Sequence, residues 1–148
     1  MTRDIEALYQ AVILDHNTRP RNFRTLDGGR KAEGDNPLCG DHVVVYVRVD
    51  EGIITEAAFQ GFGCAIARAS ASLMTDSVYG KTVAEMDALV QRFLRLVTAL
   101  PGEPVEELGP LSTLACVHRF PVRVTCAALP WRTLQAAVEG RDEGVSTE

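Results

Sequence analysis

The stretch Gln60-Gly61-Phe62-Gly63-Cys64-Ala65-Ile66-Ala67-Arg68-Ala69-Ser70-Ala71-Ser72-Leu73-Met74 decides how the rest of the chain is read. Gly61 and Gly63 punctuate the end of a strand, where the lack of a Cβ lets the backbone turn sharply. Cys64 then opens a run of small, helix-tolerant residues. A helix that begins at Cys64 or Ala65 sets the sulfur beside unpaired N–H groups and the positive end of the helix dipole. That setting favours thiolate, the form that attacks electrophiles and binds metals. The small side chains from Ala65 to Ser72 let a second element pack closely. The same stretch also reads as a tight strand-to-helix turn whose cysteine serves as a small hydrophobe, and taken alone it supports both readings.

Working back from it, Ile53 to Gln60 is the return strand of a hairpin. Its partner runs from His42 to Val49, with Val43, Val45, Val47 and Val49 on one face and His42, Val44, Tyr46 and Arg48 on the other. Asp50-Glu51-Gly52 is the connecting loop. Asp41 and Gln60 therefore lie at one end of the hairpin, which draws Cys39 and Cys64 towards the same rim. Asn36-Pro37-Leu38-Cys39-Gly40-Asp41 is rich in turn formers and places a thiol and a carboxylate two residues apart. Further upstream, Ile5, Leu8, Tyr9, Val12, Ile13 and His16 follow helical spacing over about Asp4 to His16, and Pro20 ends that helix. The stretch from Asn17 to Lys31 carries Arg19, Arg21, Arg24, Arg30 and Lys31, and reads either as a solvated basic loop or as a docking patch for an acidic partner.

Working forward, Tyr79-Gly80-Lys81 ends the helix and Thr82-Val83-Ala84-Glu85 has the form of a capping box. Met86, Leu89, Val90, Phe93, Leu94 and Val97 make the apolar stripe of a second long helix and belong to the core. Leu100 to Pro110 is an acidic, Pro- and Gly-rich connection, and Leu111 to His118 is a short helix. Phe120 to Thr125 reads as extended, and Cys126 stands at the start of the last helix. Pro130 fits a first turn but not a helix interior, which moves the regular helix towards Pro130. One domain over residues 1–140 is expected, with 141–148 a flexible tail.

The composition bounds the function. The 148 residues suffice for one core without disulfides or a structural metal. A net charge of −5 argues against a general nucleic-acid binder. No apolar run approaches the roughly 20 residues that span a bilayer, and Met1-Thr2-Arg3-Asp4-Ile5-Glu6 lacks a signal-peptide layout. The expected location is cytoplasmic, where four cysteines are metal-binding, catalytic or buried rather than disulfide-bonded. Cys39, Cys64 and Cys126, with Asp41, are four possible ligands for a tetrahedral ion, of types that zinc accepts. Three thiolates and a carboxylate around Zn²⁺ leave net negative charge, which a cation such as Arg123 would balance. Their spacing is not that of paired CxxC knuckles, so spacing alone leaves a shared site open.

Asp15-His16 through Pro20-Arg21-Asn22, Asn36 to Asp41, Gly61 to Ile66, and Phe120-Pro121-Val122-Arg123 leading to Cys126-Ala127 and Trp131 together resemble the IscU/SufU family of iron–sulfur cluster assembly proteins. These motifs occur in order from the first helix to about Val138. The connection from about Thr98 to Arg119 resembles the insertion of the SufU branch, and Thr125 stands where IscU-type scaffolds carry His. The resemblance implies an α+β fold, a small antiparallel sheet packed against helices. It implies a zinc site of Cys39, Asp41, Cys64 and Cys126. It further implies a zinc-dependent sulfurtransferase: a SufS-like, PLP-dependent cysteine desulfurase passes persulfide sulfur to Cys39, and a downstream cluster-assembly scaffold receives it. The rival within the family is an IscU-type scaffold that builds a [2Fe–2S] cluster on the same cysteines.

Two departures stand out. Cys116 replaces the usual Gly, and reads as a buried small residue or an extra redox-active thiol. Thr125 replaces the Lys common in SufU relatives. Among the histidines, His16 reads as a capping or packing residue, His42 as either a group supporting Asp41 or a surface strand residue, and His118 as structural or exposed. A Cys₃His site with His118 in place of Asp41 is the variant reading. No Cys–His–Asn arrangement of a metal-free hydrolase is legible, and a core this size weakens a purely structural zinc domain.

Overall fold

The computed structural model describes residues 2–37, 39–99, 108–119, 121–140 and 145–146. Helix α1 (Thr2–Thr18) leads through a loop into strand β1 (Arg30–Asn36). Strands β2 (Asp41–Asp50) and β3 (Ile53–Phe62) form the hairpin, followed by helices α2 (Ala65–Val78) and α3 (Val83–Thr98). A 3-10 segment (Gly109–Arg119), helix α4 (Pro121–Val138) and the short β4 (Val145–Ser146) complete the order. The fold is α+β. Strands β1, β2 and β3 are antiparallel, and β4 adds two residues parallel to Gly34 and Asp35 of β1, inside the span expected to be a tail.

The hairpin obeys its sequence. Glu51 and Gly52 both hold positive φ (52° and 78°), the two-residue turn whose twist suits the flanking strands. Val43, Val45 and Val47 are buried, while a register shift between Arg48 and Val49 leaves Val49 half-buried. The capping box at Thr82 and Glu85 is formed in both directions. In α3 the buried stripe is Met86, Leu89, Val90, Phe93, Leu96 and Val97, with Leu94 at its margin.

Strand β1 begins at the end of the stretch read as a loop to Lys31 and runs on to Asn36, where no strand was expected. Arg30-Lys31-Ala32-Glu33-Gly34-Asp35-Asn36 is poor in strand formers, yet Ala32, Gly34 and Asn36 alternate into the interior. They are small because α4 crosses directly over them. A Cβ at Gly34 would collide with the Thr133 hydroxyl and crowd Leu129. The alternation is genuine, but it is written in small residues rather than apolar ones.

Helix α4 begins earlier than its sequence suggests. Phe120 lies outside the described residues, but from Pro121 the chain is already helical, so Cys126 sits in the second turn rather than at the start. Pro121 is suited to the first helical position, where its missing N–H costs nothing. The β-branched Val122, Val124 and Thr125 cost only a few tenths of a kcal/mol each in helix propensity, and burial of α4 from Cys126 to Trp131 outweighs that. Pro130 is tolerated inside the helix, where it offers no N–H to the carbonyl of Cys126. Trp131 anchors the helix. Its ring stacks on Phe93 at 4.3 Å, and its Nε1 donates to Ser70 Oγ at 3.1 Å, which itself donates to the carbonyl of Ala127.

The N-terminal motif is a tether. His16 is buried, with Nδ1 2.7 Å from Ser72 Oγ, and the same hydroxyl accepts from the backbone N–H of Arg21. Asn22 Nδ2 donates to Thr75 Oγ1, while Arg19 and Arg21 both pair with Asp15. Arg30 donates to the carbonyl of Val138. Three cations of the basic loop thus serve the fold. The span 100–107 and the side chains of Cys116 and His118 lie outside what the structure describes.

Candidate metal centre

Three elements converge at one end of the sheet. Cys39 lies in the turn between β1 and β2, Asp41 is the first residue of β2, and Cys126 comes from α4. A sulfur of each cysteine and a carboxylate oxygen of Asp41 lie within 4.8 Å of one another. Cys64 borders this set without completing it. Its sulfur is 3.9 Å from Asp41 Oδ2, and it closes the N-terminus of α2 by accepting from the Ala67 N–H at 3.4 Å. The helix start expected from the opening stretch is therefore present at that residue.

Asp41 is buried and held from two sides. Its Oδ1 accepts from the backbone N–H of Cys64 at 2.8 Å, and its Oδ2 accepts from Asn36 Nδ2 at 3.2 Å. Gly63 makes this approach possible: at φ +149° it holds a conformation that favours glycine, and a Cβ there would run into the Asp41 carboxylate. Burial raises the pKa of the Cys126 thiol, helped by the neighbouring Asp41 carboxyl and by Cys39 and Cys64. Arg123, exposed on the first turn of α4, is held more firmly protonated by Cys126 and by Cys64. It is the cation expected near the site.

Thiol, thiol and carboxylate at this separation fit a metal ion, since zinc–sulfur bonds of about 2.3 Å in a tetrahedron put neighbouring donors roughly 3.8 Å apart. A buried thiol that keeps its proton while no ion is bound, next to a buried carboxylate, is a donor set that a divalent cation would complete by displacing that proton. Cys39, Asp41 and Cys126 would be the core of the ligand set, with Cys64 at the same rim.

His42 has a different place from one that supports Asp41. Its Nδ1 is 2.6 Å from Asp35 Oδ1 across the strand pair, and its ring stacks on Phe62 at 5.6 Å. It is a strand-surface residue, as its position one step along the pleat from Asp41 requires. Asn36, quoted within a motif but given no role by the sequence, is the contributor that sequence reasoning missed. The signal was its place as the last inward residue of an alternation of small residues.

The NifU-like N-terminal domain family matches residues 8–141, nearly the whole chain. This protein belongs to the IscU/SufU family. Among its family relatives, the iron–sulfur cluster assembly scaffold protein IscU of Streptococcus pyogenes is 41% identical over 132 residues, covering 89% of this chain and 83% of the relative. The zinc-dependent sulfurtransferase SufU of Bacillus subtilis is 33% identical over 141 residues, 95% of each chain. A crystal structure from Fervidobacterium islandicum, named as a candidate cluster assembly scaffold of the SUF system, superposes with a TM-score of 0.79. It is 32% identical to this family member and covers 86% of this chain and 93% of its own. No helix among the described residues is long and apolar enough to cross a membrane.

Proposed function

We propose that the protein is a zinc-dependent sulfurtransferase of iron–sulfur cluster assembly that accepts persulfide sulfur on Cys39 from a PLP-dependent cysteine desulfurase and passes it to a downstream scaffold. The observation that carries this reading is the unequal access of two thiols in one cluster. Cys126 is fully buried on a helix, whereas Cys39 is half-buried on a turn followed by Gly40 at φ +70°. One sulfur is fixed and the other is reachable. The name of the SufU relative, and the thiol and carboxylate donors of the cluster, support the same reading.

Zinc bound by Cys39, Asp41, Cys64 and Cys126 would keep the thiols deprotonated at neutral pH without redox chemistry of its own. Cys39 attacks as thiolate on the outer sulfur of the donor persulfide. The donor's sulfur–sulfur bond breaks, a new one forms on Cys39, and the donor cysteine leaves as thiolate. The transferred sulfur keeps its oxidation state, so the step needs no oxidant or reductant. Asp41 stays in place through its bonds to Cys64 and Asn36, and Cys126 stays with α4.

A second reading, a scaffold that assembles a [2Fe–2S] cluster, is favoured by the name of the 41% identical relative. Metal analysis of anaerobically purified protein, paired with desulfurase stimulation, separates the two. One zinc per chain, with stimulation and sulfur uptake lost in Cys39→Ala, supports the transferase. Iron and sulfide in matched amounts, handed on to an apo-protein, support the scaffold.

A further inference from the structure

Asn36 is fully buried at the end of β1, opposite Asp41 in the strand register. Its Nδ2 stands 3.2 Å from Asp41 Oδ2, 3.4 Å from Cys126 Sγ and 3.4 Å from Thr125 Oγ1. A side-chain amide nitrogen is a donor only, and a buried carboxylate oxygen is an acceptor that would repel the amide oxygen. The contacts therefore fix which end of the amide faces the cluster. The Thr125 hydroxyl gives its own proton to the carbonyl of Val122 at 2.7 Å, which leaves its oxygen to accept. Two amide protons serve three acceptors, and two of these are donors of the candidate metal centre.

The three acceptors come from two elements. Asp41 belongs to β2, whereas Cys126 and Thr125 belong to α4, far along the chain. Cys64 fixes the other oxygen of Asp41 through its backbone N–H, and its thiol lies beside Asp41 Oδ2 and interacts with Cys126 and Arg123 of α4. Those thiol contacts involve ligand-type groups that metal binding would rearrange, whereas the amide of Asn36 is a donor from outside the ligand set. We propose that Asn36 is the positioning residue of the centre: its amide joins Asp41 to Cys126 and so sets the separation and orientation of these two donors before an ion arrives. It is not itself a ligand, because the atom it presents is a donor nitrogen. Its part is to hold the carboxylate and the Cys126 sulfur where one cation can meet both. Outer partners of this kind orient ligands in metal sites generally.

This inference rests on the metal-binding reading above, and the test distinguishes the failure of either. Full-length protein is stripped with chelator, and zinc affinity is measured by competition with a chromophoric chelator. Cobalt(II) is then added, and its ligand-field and sulfur-to-cobalt bands are recorded. Asn36→Ala should weaken zinc binding by about 10- to 100-fold and shift the cobalt bands. Asn36→Asp should also shift the cobalt bands, because the donor is replaced by a carboxylate able to ligate the ion itself. Asn36→Ser, which keeps one donor, should recover part of the affinity and of the spectrum. Cooperative melting of the stripped variants shows that the fold is intact. Affinities within about threefold of the parent, with unchanged cobalt bands, would overturn the role of Asn36 while leaving the metal reading standing. A parent protein that binds neither zinc nor cobalt would remove the metal reading first. Should the variants not fold, the cadmium-loaded parent decides. Scalar coupling between a side-chain amide proton of Asn36 and the cadmium nucleus, transmitted through Cys126 sulfur, is the expected result, and its absence overturns the proposal.

Discussion

The backbone N–H of Cys64 donates to Oδ1 of Asp41 at 2.8 Å, so the carboxylate that faces the thiols also closes the N-terminus of α2. One side chain thus has a structural and a chemical task, and each oxygen serves a different one. Asp41→Asn keeps an acceptor for the Cys64 N–H but loses the charge. Asp41→Ala loses both. Chemical denaturation of metal-free protein should show Asp41→Ala less stable than Asp41→Asn by about 1 kcal/mol, the usual worth of a helix cap, while both bind zinc more weakly than the parent. Equal stability of the two metal-free variants would show that the cap bond contributes nothing.

Gly63→Ala probes the approach that this bond needs. The new Cβ meets the Asp41 carboxylate and forces a backbone conformation that side chains rarely adopt. Zinc affinity should fall even though no ligand has been removed, and stability should drop by more than about 1 kcal/mol. Gly40→Ala also faces a positive φ, but nothing lies within reach of its Cβ. Its loss of affinity should be the smaller, and the reverse order would show that the strand end yields more readily than the turn.

Metal uptake should depend on pH. The Cys126 thiol is raised by burial and by its acidic neighbours, so it holds its proton at neutral pH and an incoming ion must displace it. Zinc affinity therefore rises with pH, by about one power of ten per pH unit for each proton displaced. Calorimetry in buffers of different ionisation enthalpy counts the protons. A flat affinity across neutral pH, with no proton release, would contradict a protonated Cys126.

His16 gives a different pH signature, in stability. Burial lowers its pKa below the ordinary 6.5, with Arg21 adding to the effect, so the folded chain keeps the ring neutral. The unfolded chain gains its proton first as the pH falls. The stabilising contribution of neutral His16 is therefore complete above 6.5 and is lost as the pH drops from there towards the folded-state value. Denaturation at about pH 7.5 and about pH 5.5 should show a loss for the parent that His16→Gln largely lacks. The same loss in both proteins would assign it to other groups.

Much of this architecture could be read from residues. The hairpin followed from four alternating valines, the start of α3 from Thr82 and Glu85, and the cap at Cys64 from two glycines ahead of small residues. What escaped has physical reasons. In β1 the inward positions are Ala32, Gly34 and Asn36, chosen for the closeness of α4 rather than for hydrophobicity, and no propensity scale rewards them. In α4, Pro130 and three β-branched residues argued locally against a helix that burial enforces. The ligand residues were visible as types, but whether Cys126 reaches Cys39 depends on how α4 crosses the sheet, which is a tertiary fact. The role of Asn36 was hidden for the same reason, since its partners on α4 are brought to it only by that crossing.

The donors of the centre also lie far apart along the chain, Cys39 and Asp41 in its first third and Cys126 near its end. A coordinated ion would therefore act as a removable crosslink across a long loop, taking chain entropy from the unfolded ensemble much as a covalent bridge does. Its strength would follow free metal concentration rather than a redox potential. The melting temperature of this protein would then report the metal status of its surroundings, and delivering or withholding the ion would tighten or loosen the bond between the sheet and its last helix.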